Sequence, residues 1–160
     1  MATFQNIYED YARPVYRFLL QLTANEDKAE ELLQETFYRA LKNIDRFEGR
    51  CSLYTWLCQI GKNAWYKECR RSKRFEQLPL EELSVSAEED PEAMLLKKEQ
   101  QMLIREAILK LEEPYQDVFI MHVLGEIKLA EIATLYGKSE SWARVTFFRG
   151  KQKILKEVLK

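Results

Sequence analysis

The stretch LAEIATLYGKSESWARVTFFRGKQ, Leu129 to Gln152, decides the fold. Its spacing predicts a short helix, a glycine corner and a second helix that carries both cations and large aromatics. Ile132, Ala133 and Tyr136 fall on one helical face, and Gly137 supplies the permissive backbone with which a helix ends in a left-handed residue. Ser139 follows as a natural N-cap. In the second helix Ala143, Phe147, Gly150, Ile154 and Val158 recur at helical spacing and form a core stripe, while Arg144, Val145, Phe148 and Arg149 fall off it. A mixed basic and aromatic face is left needing a partner.

A helix-turn-helix requires a tight corner, a small residue where its helices cross, and a recognition helix whose outer face reaches the major groove. Gly137 offers the corner and Ala133 the small crossing residue. Ser139 and Ser141 stand near the amino end of the recognition helix, where backbone N–H groups meet phosphates. Arg144 and Arg149 suit guanine edges or phosphates, and Phe148 or Val145 a thymine methyl. The competing reading of the same stretch is a helical hairpin with a solvated basic side.

Working outward, periodicity is helical nearly everywhere and the chain is expected to be all-α. One helix is expected from about Phe4 to Leu22, with Pro14 marking a kink or break. A second segment covers Asn25 to Phe47, with Leu33, Phe37, Ala40, Leu41 and Ile44 on one side and an acidic start suited to the helix dipole. Ser52 can cap a third helix through about Ser72. Residues 75–90 are acidic and serine-bearing, and read as a flexible linker. Asp90 and Pro91 open a helix to Leu111, and Glu113 and Pro114 another to about Leu124, closed by Gly125. The expected architecture is two small helical domains, 1–74 and 91–160, the second holding the helix-turn-helix.

The 160 residues carry a net charge of −1, which hides strong segregation. Lys62, Lys67, Arg70, Arg71, Lys73 and Arg74 form one basic run, and the segment from Lys138 onward forms another, with acidic residues between. Two polyanion-binding surfaces are therefore expected. In the first, Tyr54, Trp56, Trp65 and Tyr66 interleave with the cations, a combination suited to stacking unpaired bases while the backbone is held. Exposure is expected for Tyr54, Asn63 and the Arg70–Arg74 cluster; Trp56 is as well explained by the core as by a site. Catalysis finds little support: the single His122 lies in an apolar helix without partners, and no phosphate-cradling glycine loop occurs. Cys51, Cys58 and Cys69 lack paired spacing, so reduced thiols are expected, with no metal or cofactor. The start is not leader-like and no stretch suffices to cross a bilayer, so a cytoplasmic location without membrane insertion is expected.

A domain suited to melted strand beside one suited to duplex resembles the extracytoplasmic-function group of bacterial RNA polymerase sigma factors. The resemblance rests on AEELLQETFYRAL, FEGRCSLYTWLCQIGKN and LAEIATLYGKSESWARVTFFRGKQKIL, in that order along nearly the whole chain. It implies a non-enzymatic subunit of core RNA polymerase. Its first domain would grip the polymerase clamp and open the minus-ten promoter element, and its second would read the minus-35 element. Carried over by residue, Glu31, Gln34 and Glu35 match the polymerase contact. Phe47, Gly49, Arg50, Ser52 and Tyr54 lie in the loop matching the one that captures a flipped non-template base. Trp56, Asn63, Lys67, Arg70 and Arg71 extend that minus-ten surface. Ser139, Ser141, Trp142, Arg144, Val145, Phe148 and Arg149 occupy the duplex-reading end. An anti-sigma factor is implied as a further partner.

Overall fold

The computed structural model describes residues 3–72 and 91–160; the expected linker, with Lys73, Arg74 and Asp90, lies outside the described residues. The first half contains α1 (Phe4–Thr23), α2 (Glu26–Asn43), a 3-10 turn (Ile44–Arg46) and α3 (Leu53–Ser72). The second contains α4 (Pro91–Lys110), α5 (Tyr115–Phe119) running into a π turn (Ile120–Leu124), α6 (Leu129–Leu135) and α7 (Glu140–Val158). Both halves are helical, as the periodicity requires.

Local chemistry sets the helix ends. Thr3 caps α1 by accepting from the Asn6 amide at 3.2 Å, and Asn25 caps α2 by accepting from Lys28 at 3.0 Å. Between them Ala24 turns left-handed at φ 53°, its N–H bonded to the Leu20 carbonyl at 2.7 Å. Pro14 does not break the first helix: α1 continues to Thr23, because Val15, Phe18, Leu19 and Leu22 are all buried and hold the turn that proline weakens. In α2 the buried stripe is Ala29, Leu32, Thr36, Phe37 and Ala40, and Leu41, expected on that side, is 51% exposed.

Helices α1, α2 and α3 pack around Gly61. A Cβ there would stand 2.9 Å from Leu19 Cδ2 and 3.0 Å from Thr36 Oγ1, so only glycine permits this approach. The core does not end at the first half. Phe18, Leu19, Leu32, Leu57 and Trp65 share one buried cluster with Val118, Ile120, Met121, Ile127 and Ile132 of the second half. A smaller cluster of Ala107, Leu111, Phe119 and Ile154 fastens α4 and α5 to α7.

Candidate nucleic-acid interface

The helix-turn-helix forms as its residues dictate. Ile132 and Ala133 are buried on α6, Gly137 adopts φ +65°, and Ser139 Oγ accepts from the Trp142 amide at 3.1 Å. Ala143, Gly150 and Ile154 turn inward on α7, with Thr146 a buried addition that apolar periodicity does not reveal. Ser139, Ser141, Arg144, Val145, Phe148 and Arg149 all lie exposed; Phe148 reaches 62% and Val145 47%. Trp142 is half-buried, its ring centroid 6.0 Å from that of Tyr136, so it packs the corner as well as flanking the face. Arg144 holds Glu140 at 2.6 Å on the surface, a pair that a phosphate or base edge can displace at little cost.

On the first half, Glu31, Gln34 and Glu35 form an exposed acidic and amide edge of α2, with Glu35 paired to Arg39 at 2.7 Å. Phe47, Glu48, Gly49 and Arg50 form the loop before α3. Its Gly49 sits at φ +77°, and Arg50 and Glu48 pair at 2.9 Å in the open. Phe47 lies 5.1 Å from Trp56, both half-buried, which props the loop against the helix. Ser52 caps α3 through the Thr55 amide at 3.1 Å. Asn63, Lys67, Arg70 and Arg71 are exposed along α3.

Two expectations for this surface are corrected. Tyr54 is not free: it is half-buried, and its hydroxyl donates to the Gly125 carbonyl at 2.9 Å. Burial raises its phenol pKa. Lys62 does not belong to the basic surface at all. It is 0% exposed, its Nζ is 3.0 Å from Asp117 Oδ1, and it donates to the Tyr136 hydroxyl at 2.9 Å. Tyr136 in turn donates to Asp117 Oδ2 at 2.9 Å. Desolvation lowers the Lys62 pKa against the opposing pull of Asp117.

Glu131 completes the junction by accepting from the Ser52 amide. Desolvation pushes its carboxyl up, but hydrogen bonds from Ser52 and Thr55 outweigh it and hold the pKa below the usual value. Asp117 and Glu131 are partners at this junction that motif reading did not single out, and Tyr136, read only as part of the inner face of α6, joins them through its hydroxyl. One signal was available for Asp117: it is the lone charge running into Val118, Phe119, Ile120 and Met121, where a carboxylate requires a buried partner.

His122 serves packing: Nδ1 lies 2.8 Å from the Ile127 carbonyl, and the ring meets Phe147 edge-on at 4.7 Å. Cys51, Cys58 and Cys69 form no disulfide, and among the described residues no group of His, Cys, Asp and Glu gathers to hold a metal ion. No helix among those residues is long and apolar enough to cross a membrane.

The Sigma-70 region 2 family profile matches residues 7–75, and the Sigma-70, region 4 profile matches residues 101–154. RNA polymerase sigma factor YlaC of Bacillus subtilis is 27% identical over 161 residues, covering 99% of this chain and 93% of that protein. ECF RNA polymerase sigma factor SigM of the same organism is 28% identical, covering 95% and 93%. Among solved structures, the sigma factor RpoE in complex with the anti-sigma factor NepR from Bartonella quintana superposes with TM-score 0.60 at 18% identity, covering 97% of this chain and 96% of that one. CnrH in complex with the cytosolic domain of CnrY gives TM-score 0.61 at 18% identity, covering 96% and 85%.

Proposed function

Because the chain belongs to the extracytoplasmic-function group of bacterial RNA polymerase sigma factors, we propose a division of labour between its two helical halves. The protein directs core RNA polymerase to promoters and starts transcription there. The observation that carries the assignment of roles is the exposed Arg144, Val145, Phe148 and Arg149 face of α7, set behind a glycine corner and a serine cap. That face takes the minus-35 duplex, with the α7 amino end on a phosphate and the arginines on base edges.

The first half, placed here at residues 1–74, meets the polymerase clamp through Glu31, Gln34 and Glu35, an edge suited to a basic coiled coil. Its segment from Phe47 to Tyr54, the loop before α3 and the first residues of that helix, takes a flipped non-template base. Trp56, Asn63, Lys67, Arg70 and Arg71 steady the melted strand by stacking and charge. Capture of the base offsets part of the cost of unpairing, a few kcal/mol per base. Residues 75–90 tether this half to 91–160, so that docking of one raises the effective concentration of the other. Chemistry of nucleotide addition belongs to the polymerase, in the cytoplasm. An anti-sigma factor that covers the polymerase-binding surfaces is the regulatory partner, a reading supported by the anti-sigma factor named in the RpoE complex.

Reconstituted transcription with core polymerase and a randomised promoter library tests this. Transcripts starting at a fixed distance from a shared two-element motif are expected. Absence of any start that depends on the chain overturns the reading.

A further inference from the structure

An arginine on a DNA-facing helix serves either as a phosphate clamp or as a base reader, and what stands beside its guanidinium helps to decide which. On the outer face of α7 the side chains run in two rows. Glu140, Arg144 and Phe148 make one, Ser141, Val145 and Arg149 the other, each residue about a helical turn from the next. All of them are exposed. The two arginines differ in company. Arg144 Nη2 donates to Glu140 Oε1 at 2.6 Å, with the two side chains 59% and 51% open to solvent. Arg149 has neither an ion pair nor a hydrogen bond among the described residues.

The helix does not need a glutamate here in order to start. Ser139 already caps α7 by accepting from the Trp142 amide, and the inward stripe of Ala143, Thr146, Gly150 and Ile154 lies on another side of the helix. An acidic first residue suits the helix dipole. The same charge, however, stands on a face that approaches a polyanion, where it repels backbone phosphates.

We infer that Glu140 is a positioning residue for base recognition, which holds Arg144 along the base-reading row and denies that guanidinium to the phosphate backbone. The inference rests on the minus-35 role proposed above for α7. A guanidinium presents several N–H donors in a fixed fork, and the bond to Glu140 uses one of them. Those remaining suffice for the O6 and N7 acceptors of a guanine edge, which is uncharged and shares the arginine with the carboxylate. A phosphate does not share it on the same terms, because its charge and that of Glu140 repel at close range. On the free chain the pair contributes little. Within the groove, away from bulk solvent, both the attraction and the repulsion strengthen. Glu140 therefore weakens the sequence-independent hold on DNA while sharpening the choice of guanine at the base pair that Arg144 meets.

Holoenzyme made with the full chain is titrated against duplex promoters in which each minus-35 base pair is varied in turn, over a range of salt concentrations. Glu140→Gln is expected to reduce discrimination at one base pair by about tenfold. It is also expected to strengthen binding to a scrambled minus-35 element and to steepen the salt dependence by about one phosphate contact. Arg144→Ala loses the preference at that same base pair, and Glu140→Gln added to it changes discrimination no further. Both side chains are exposed, so neither change is expected to disturb the fold. A helix-dipole role alone would move the melting temperature and leave base preference and salt slope as they are. Unchanged discrimination in Glu140→Gln overturns the inference, as does weaker binding to the scrambled element. So does a further shift in the Arg144→Ala background, which would mean that Glu140 touches a base itself. A wild-type holoenzyme without preference at any minus-35 base pair overturns the function proposed for α7 as well, whereas wild-type discrimination that Glu140→Gln leaves intact strikes the inference alone.

Discussion

Lys62 and Lys67 lie in the same basic run of α3, yet one is sealed in a seam and the other is open to solvent. The difference is made by Asp117 and Tyr136, remote in sequence, and this is why composition placed both in one surface. Cys58 is read more directly. Burial pushes its thiol from 9.0 up to about 12, and Cys69 follows to about 11. A pKa raised by folding gives stability that is present below the unfolded value and lost as pH climbs through the folded one. Melting temperature is therefore expected to fall between pH 9 and 12, with Cys58 contributing on the order of 4 kcal/mol over that range. Cys58→Ala melts lower at neutral pH but declines less steeply in alkali; parallel declines would count against it. On α7, replacing Arg144 and Arg149 together by alanine removes about 1–3 kcal/mol of promoter binding per base-contacting arginine. Footprinting of the holoenzyme checks this, with stability changed by no more than about 0.5 kcal/mol because both side chains are exposed.

Among the elements, α3 is the most demanding, since it touches α1 and α2 on one side and the second half on another. Gly61→Ala places a methyl against Leu19 and Thr36. A loss of about 1–3 kcal/mol is expected, measured by urea denaturation, with the exposed face of α7 unaffected. A neutral or stabilising result would mean that the three helices can part without cost. Helix ends in this chain were legible because caps are local: Ser52, Ser139 and Gly137 act within a few residues of themselves. Pro14 and Leu41 were not, because whether a proline breaks α1 or a leucine faces inward on α2 depends on what lies opposite. The same holds for Tyr54, whose aromatic ring among cations suggested exposure while its hydroxyl is claimed by the Gly125 carbonyl.

At the scale of the whole molecule, one hydrophobic cluster runs from Val15 and Phe18 through Trp65 to Ile120 and Ile132. Sequence periodicity divides the chain correctly into helical halves, but it carries no information on how they face one another. That arrangement seals Lys62 between the halves and half-buries Tyr54, while the outer face of α7, the Glu48–Arg50 pair and Asn63, Lys67, Arg70 and Arg71 stay exposed. The central claim is that unpaired bases go to the first half and paired ones to the second. A holoenzyme assembled on promoter DNA carrying a photoreactive base in the melted minus-ten strand, or in the minus-35 duplex, tests it directly. Crosslinks from the melted strand are expected within residues 47–71, and crosslinks from the duplex within residues 139–149. Melted-strand crosslinks confined to the second half, or absent from Phe47 to Tyr54 and from Asn63 to Arg71, would contradict the account.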